Sequence, residues 1–323
     1  MPAPVPESVL ALLARMVQEY TGRSTAPEQL QAVASGASGR FFARAHGVVA
    51  LYWTAARADN NSFVPAARGL AAAGIRVPTV LTAQELPDGC GACLLQDLGC
   101  TDLLSLRGRP WPERRAAYGA ALAALRPLYE LQPDWALQAP FDAALYRWEQ
   151  EYFAEHFVGR HLGADAAAFA AQPALREMAA WLGSLPRVPI HRDCQSQNIM
   201  LHDGEAWLID FQGMRAGREE YDVASLLLDP YAELTRDERA ELLRMRECLG
   251  APPLDPTVYA ACALQRLMQA LGAFANIGYN QGRPWYLQKI APALAALREL
   301  LAELPADSPL TPVAACLQPL IAM

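Results

Sequence analysis

The chain has 323 residues, of which 53% are apolar, and its formal net charge is −7. This length allows two lobes with a sizeable core, and the acidic balance argues against nucleic acid as a partner. The sequence opens without the basic and apolar regions of a secretion signal, and no apolar run reaches membrane-spanning length. Because seven cysteines, an odd number, favour reduced thiols, we expect a cytoplasmic protein that binds neither nucleic acid nor membrane.

The first hundred residues predict a small lobe rich in strands. An amphipathic helix is expected from Pro6 to about Gly22, and apolar strands follow at residues 32–35, 41–46 and 48–53. The small-residue segment 35–40 joins the first two strands. Such a turn lets backbone N–H groups approach phosphates, although a plain hairpin turn fits the same residues.

A helix is then predicted from Asp59 to Ala73, and an apolar strand at residues 92–96 ends in the polar turn at residues 97–99. Beyond this turn the hydrophobic period becomes helical, with helices expected at residues 112–131, 141–161, 235–250, 256–281, 285–303 and 309–320. The sequence therefore predicts a strand-rich lobe over residues 1–99 and a helical lobe over residues 100–323.

The most informative segment is I-H-R-D-C-Q-S-Q-N-I-M-L-H-D-G-E-A-W-L-I-D-F-Q, residues 190–212. It places His191, Asp193 and Asn198 on one loop, and Asp210 at the end of a hairpin strand. Phosphoryl transfer from a magnesium nucleotide needs one carboxylate for the attacking hydroxyl, and an amide and a second carboxylate for the metal. The spacing therefore predicts Asp193 as the catalytic base, Asn198 and Asp210 as magnesium ligands, and His191 as a residue that braces the loop.

These residues resemble the catalytic loop of the aminoglycoside phosphotransferase superfamily of kinase-like enzymes. Two longer segments, Asp210–Tyr231 and Gln265–Leu287, resemble its bacterial branch that phosphorylates the anomeric hydroxyl of N-acetylmuramate and N-acetylglucosamine. The resemblance extends over most of the chain, from about residue 35 to residue 287. It implies an α+β, two-lobed protein-kinase-like fold, with a small antiparallel-sheet N-terminal lobe, a hinge at residues 94–99 and a larger, mostly helical C-terminal lobe. ATP and Mg²⁺ are expected in the cleft between the lobes.

The resemblance also implies roles for residues outside the loop. Asp222 corresponds to an aspartate that hydrogen-bonds back to the catalytic loop, and it is also expected to cap its helix. The nucleotide is expected to contact residues of the N-terminal lobe and the hinge: Ser38, Arg40, Arg44, Gln96 and Leu98. Glu149 and Arg215 are candidate sugar contacts, although a solvated helix face is the alternative for Glu149.

The chain departs from the usual kinase pattern in its N-terminal lobe. The third strand, V-V-A-L-Y-W-T, has no lysine, the helix after it has no glutamate, and the only lysine of the chain is Lys289. Because a guanidinium binds phosphate bidentately and stays charged, we expect Arg40 or Arg44 to replace the lysine. Solvent-exposed arginines without this role are the alternative.

The predicted protein is thus a monomeric, ATP-dependent small-molecule kinase that phosphorylates a sugar hydroxyl, with the anomeric hydroxyl of N-acetylmuramate or N-acetylglucosamine as the first candidate. Two other hypotheses stay open. One is a kinase for another small alcohol or an aminoglycoside, and the other is a nucleotide-binding pseudokinase with a regulatory role. The missing lysine and glutamate favour the pseudokinase, whereas the intact catalytic loop argues against it.

Overall fold

The computed structural model describes residues 5–35 and 39–321. The chain forms two compact units. The first unit consists of Met1–Thr101, Gln132–Gln138 and Met200–Gly213, and the second of Asp102–Leu131, Ala139–Ile199 and Met214–Met323. The segment Met200–Gly213 is anchored in the first unit by backbone hydrogen bonds from Leu201 to Thr101 and from Leu208 to Arg76, each 2.8 Å long.

The first unit contains a five-stranded antiparallel sheet in the order β1-β2-β3-β5-β4. Its strands are β1 Gln31–Ser35, β2 Arg40–Ala45, β3 Val48–Trp53, β4 Val80–Glu85 and β5 Gly91–Gln96. The β2–β3 hairpin turns at His46 and Gly47, whose φ angles of 49° and 79° are those of a tight hairpin turn. The predicted strands are therefore present in this part of the chain.

Two helices belong to the first unit, α1 Glu7–Thr21 and α2 Phe63–Ala72. Helix α1 ends, as predicted, at Gly22 in the left-handed conformation, and it packs Leu13 and Val17 into one cluster with apolar residues of the sheet. The prediction that α2 begins at Asp59 is wrong. Asp59 lies in a 3₁₀ turn at Ala58–Ser62 and accepts hydrogen bonds from Arg57 instead of capping α2.

The second unit is mostly helical. Its helices are α3 Trp111–Tyr129, α4 Ala143–Phe153, α5 Ala166–Ala170, α6 Pro173–Ser184, α7 Glu219–Leu227, α8 Arg236–Cys248, α9 Pro256–Asn280, α10 Ile290–Glu303 and α11 Thr311–Ile321. Helix α4 continues into a π-helix at Ala154–His161. The core forms around α9, most of which is buried, including Leu264, Leu267 and Leu271.

Four short strands flank the predicted catalytic loop. Strand β6 Val188–Ile190 enters it, β7 Ile199–His202 and β8 Glu205–Leu208 form the hairpin after it, and β9 Arg215–Gly217 pairs with β6. The predicted hairpin before Asp210 is present, and it turns at Asp203 and Gly204, with φ angles of 52° and 76°, as is typical of an Asp-Gly pair. Within the described ranges, no helix is both long enough and apolar enough to cross a membrane.

Candidate active site

The loop at residues 191–198 is clamped by two buried carboxylates of the second unit. Asp222, in α7, accepts hydrogen bonds of 2.7 Å from the backbone N–H groups of His191 and Arg192. Asp229 accepts bonds of 2.9 Å from the backbone N–H of Ser196 and of 2.5 Å from its hydroxyl. Each carboxylate thus uses backbone donors that would otherwise be buried without partners, which fixes the path of the loop at two points.

The buried residues that support this loop differ in part from the expected ones. Burial raises the pKa of Asp222 to about 7, although its two backbone hydrogen bonds oppose that shift. The expectation that Asp222 also caps its helix is wrong, because the N-cap residue of α7 is Arg218. His191 lies in the loop and is 1% exposed. No role was predicted for Asp229, whose one signal in the sequence is its place as an acidic residue next to Pro230 at the end of an apolar helix.

Asp193 is partly exposed and lies between two positive charges. Its side chain is 31% exposed, with Oδ2 3.3 Å from Nη1 of Arg192 and Oδ1 3.7 Å from Nη1 of Arg266. Burial alone would raise the pKa of Asp193, but the charges of Arg192 and Arg266 outweigh it and hold the pKa below its ordinary value. The carboxylate is therefore ionised at neutral pH and can accept a hydrogen bond from a hydroxyl group.

Asn198 closes the same loop from its C-terminal side. Its Nδ2 donates a 2.9 Å hydrogen bond to the backbone carbonyl of Asp193. With the amino group used in this way, the side-chain oxygen is the part of the amide left to bind a cation.

The structure contradicts the expectations for Glu149. This residue of α4 is 0% exposed, and its two carboxylate oxygens accept hydrogen bonds of 3.0 Å from the Tyr221 hydroxyl and 3.1 Å from Gln265. Burial raises the pKa of Glu149, although Arg192 and these two hydrogen bonds oppose the shift. A solvated helix face is therefore wrong for Glu149, and so is a direct sugar contact, because the side chain is enclosed by protein.

Arg215 lies at the start of β9, opposite Ile190 of β6. Its Nη1 donates a 3.2 Å hydrogen bond to the carbonyl of Ala139, and its guanidinium carbon lies 5.5 Å from the centre of the Phe141 ring. Burial lowers the pKa of Arg215, and repulsion by Arg192 lowers it further. Arg215 is half-buried and adds to a positive region around Asp193.

In the first unit, two of the predicted site residues are in contact. Nη2 of Arg40, on β2, lies 2.5 Å from Oδ1 of Asp210, and Gln212 donates a 3.0 Å hydrogen bond to the same oxygen. Phe211, which follows Asp210, stacks on Phe63 of α2 with ring centres 5.1 Å apart. Asp210 has a φ of 64°, a left-handed backbone conformation that is uncommon for non-glycine residues.

The other predicted nucleotide contacts lie near the end of β5. Arg44 forms an ion pair of 2.7 Å with Asp97 and donates a 2.6 Å hydrogen bond to the carbonyl of Gly99. Its guanidinium thus holds the turn that contains the buried Leu98, which favours Arg40 over Arg44 as the replacement for the lysine. Gln96 ends β5, and its side-chain oxygen accepts a 3.1 Å bond from the Thr79 hydroxyl. Ser38 lies outside the described residues.

Residues 29–262 match the phosphotransferase enzyme family. A protein of Pseudomonas aeruginosa named N-acetylmuramate/N-acetylglucosamine kinase is 30% identical, with 86% of this chain and 89% of that protein covered. A protein of the same name from Neisseria meningitidis is 29% identical, with 70% of this chain and 71% of that protein covered.

Solved structures resemble the chain in fold. A choline/ethanolamine kinase family protein from Mesorhizobium loti has a TM-score of 0.60 at 18% identity, covering 97% of this chain and 98% of that chain. The gentamicin–APH(2")-IIa complex has a TM-score of 0.63 at 11% identity, covering 90% of this chain and 97% of that chain. These similarities confirm the predicted α+β, two-lobed kinase-like fold.

Proposed function

We propose that this chain, which belongs to the phosphotransferase enzyme family, transfers the γ-phosphoryl group of ATP to the anomeric hydroxyl of N-acetylmuramate or N-acetylglucosamine. The family match bears out the predicted superfamily and the predicted kinase activity. The choice of sugar is supported by the curated relatives, since they carry both sugars in their names and align along most of their length. We further propose that the enzyme acts as a cytoplasmic monomer.

The ionised carboxylate of Asp193, on a loop clamped by Asp222 and Asp229, is the observation that carries this proposal. In the proposed reaction, Asp193 accepts a hydrogen bond from the attacking hydroxyl and orients the hydroxyl oxygen towards the γ-phosphorus. As the oxygen–phosphorus bond forms, Asp193 takes up the hydroxyl proton, the bond between the γ-phosphorus and the β–γ bridging oxygen breaks, and ADP leaves. An anomeric hydroxyl is more acidic than an ordinary alcohol. Its proton therefore moves to a positioned carboxylate more readily than the proton of an ordinary alcohol would.

Asn198 and Asp210 are our candidates for the Mg²⁺ ligands. Mg²⁺ prefers hard oxygen ligands, and an amide oxygen and a carboxylate supply them. When bound, the metal would neutralise charge on the polyphosphate. Arg40 is assigned to the phosphates because its guanidinium contacts Asp210, a candidate Mg²⁺ ligand, whereas Arg44 pairs with Asp97.

Arg215 is our candidate contact for the acceptor, in particular for the carboxylate of N-acetylmuramate. N-Acetylmuramate carries a lactyl carboxylate that N-acetylglucosamine lacks. Arg215 is cationic and half-buried beside Arg192, and a guanidinium pairs well with a carboxylate. The packing of Arg215 against Phe141 limits its motion, which lowers the entropic cost of binding an anion.

A panel of acceptors tests the proposed function. Purified protein with ATP and Mg²⁺ is expected to phosphorylate the two amino sugars in preference to choline-like alcohols and aminoglycosides. Asp193→Asn should lower kcat roughly a hundredfold or more while an ATP analogue binds as before. The matched control is Asp203→Asn, which removes a carboxylate from the exposed hairpin turn and should leave kcat unchanged.

Two results would overturn parts of this proposal. Turnover with aminoglycosides or choline-like alcohols alone would reject the sugar acceptor. Undiminished turnover by Asp193→Asn on any accepted substrate would remove Asp193 from the chemistry.

A further inference from the structure

Arg266 is a buried charge in the middle of the apolar helix α9. It is 5% exposed, and its neighbours along the helix, Leu264 and Leu267, belong to the core. A charged side chain at such a position costs stability unless its charge is paired and its donors are bonded. The partners of Arg266 must therefore compensate for the cost of burying its charge.

Arg266 faces the proposed base on one side. Its Nη1 lies 3.7 Å from Oδ1 of Asp193 and also donates to Gln269. A separation of 3.7 Å exceeds hydrogen-bond length. Arg266 thus supplies charge beside Oδ1, which remains able to accept a hydrogen bond from a substrate hydroxyl. Arg192 pairs with the other oxygen, Oδ2, at 3.3 Å, so cations hold the carboxylate on both sides.

On its other side, Arg266 is held by a buried polar chain. The Tyr221 phenol lies close enough to the Arg266 guanidinium to raise its pKa, and the Tyr221 hydroxyl donates a hydrogen bond of 3.0 Å to Oε1 of Glu149. Gln265 donates bonds of 3.1 Å to Oε2 of Glu149 and 2.9 Å to the carbonyl of Tyr146. Tyr221, Glu149 and Gln265 are each 0% exposed. The packed core therefore fixes the position of the Arg266 guanidinium relative to α4 and α7.

A second buried arginine of the same unit shows what a purely structural ion pair looks like here. Arg246, in α8, is 4% exposed and contacts Glu219 and the carbonyl of Pro252, both at 2.5 Å. Those partners join α8 to the start of α7 and to the segment after α8. The contacts of Arg246 thus stabilise helix packing, whereas Arg266 contacts the proposed catalytic base, Asp193.

We propose that Arg266 is a positioning residue for phosphoryl transfer, which holds the carboxylate of Asp193 in the orientation that receives the acceptor hydroxyl. Tyr221 and Glu149 hold Arg266 in turn. This inference rests on the proposed role of Asp193. It also gives Glu149 a role that its burial allows, in place of the predicted sugar contact.

The test compares Arg266→Met with Arg246→Met, which removes a guanidinium of similar burial. Arg266→Met should lower kcat about ten- to a hundredfold, the usual effect of misplacing a catalytic group by about 1 Å. The KM values for ATP and sugar should change less than about threefold, since neither substrate loses a direct contact. Arg266→Lys should restore part of kcat. Arg246→Met should lower the unfolding temperature comparably and leave kcat within about twofold, a change too small to count as loss of a catalytic interaction.

Tyr221→Phe tests the same inference if Arg266→Met does not fold. It keeps the ring in the core and removes only the hydroxyl between Arg266 and Glu149, and it should lower kcat several-fold at unchanged KM. Wild-type kcat per folded molecule in both Arg266→Met and Tyr221→Phe would overturn the inference, as would an equal loss of kcat in Arg246→Met. If Asp193→Asn is inactive in the same assay, such a result rejects the role of Arg266 alone. If Asp193→Asn is active, the proposed role of Asp193 fails as well, whereas the acceptor panel still decides whether the protein is a sugar kinase.

Discussion

Arg40→Met removes a buried positive charge from β2 while it keeps a side chain of similar length. If Arg40 replaces the missing lysine, the variant loses a charge-assisted contact to the phosphates. Such a contact is worth about 1.5–3 kcal/mol, so the Kd for nucleotide should rise about ten- to a hundredfold.

The same substitution also breaks the ion pair between Arg40 and Asp210, and the cost to stability can be bounded. Breaking a fully buried pair costs about 3–5 kcal/mol. Here Arg40 is 8% exposed but Asp210 is 34% exposed, so water can solvate the carboxylate that remains. We therefore expect a loss of about 1–2 kcal/mol, between the values for exposed and buried pairs. The variant should stay folded at room temperature.

Calorimetric titration with a non-hydrolysable ATP analogue, at several Mg²⁺ concentrations, measures the effect. Arg44→Ala and Arg57→Ala are the controls, because Arg44 pairs with Asp97 and Arg57 with Asp59. The Kd should rise most in Arg40→Met, whereas its dependence on Mg²⁺ should persist because Asp210 is unchanged. A change of less than about threefold in Arg40→Met, or a larger one in Arg44→Ala, would refute the replacement. Backbone N–H groups and Mg²⁺ would then have to bind the phosphates.

Two further substitutions test the metal and the acceptor. Asp210→Ala and Asn198→Ala should each weaken Mg²⁺-dependent nucleotide binding without unfolding the protein, as titration and thermal unfolding would show; unchanged Mg²⁺ dependence would place the metal elsewhere. Arg215→Met should lower kcat/KM for N-acetylmuramate about tenfold or more, the value of a lost charge-assisted bond, and leave kcat/KM for N-acetylglucosamine within about threefold. Equal losses on both sugars would contradict a carboxylate contact.

Local sequence signals predicted the parts of the fold that depend on local chemistry. Helix α1 ends at Gly22 because glycine adopts the left-handed conformation at low cost. The Asp203-Gly204 pair likewise determines the β7–β8 turn. The loop from His191 to Asn198 was recognised because its polar residues are close together in the sequence. In each case the determining residues lie within a few positions of the structure they form.

The buried polar chain could not be predicted, because its members come from distant helices. Glu149, Tyr221 and Gln265 belong to α4, α7 and α9, and only the tertiary packing brings them together. Glu149 was expected to contact a sugar or solvent, because a lone acidic residue on a helix is usually exposed. The packing turned it towards the core instead. Arg266 did carry a signal, since a charged residue within the apolar run of α9 interrupts an otherwise continuous core pattern.

The chain has a single lysine, and the positive charges to which we assign functional roles are on buried or half-buried arginines. Arg40 and Arg266 have side chains that are 8% and 6% exposed. Burial lowers the pKa of a lysine by several units and can remove its charge at neutral pH, whereas a guanidinium stays protonated. For Arg266, burial lowers the pKa, but Tyr221, Asp193 and Glu149 outweigh it and the net shift is upward. Arginine can therefore place a permanent positive charge inside the protein at these positions. The first unit has no lysine of the usual kinase type, but Arg40 still provides it with a cation for the phosphates.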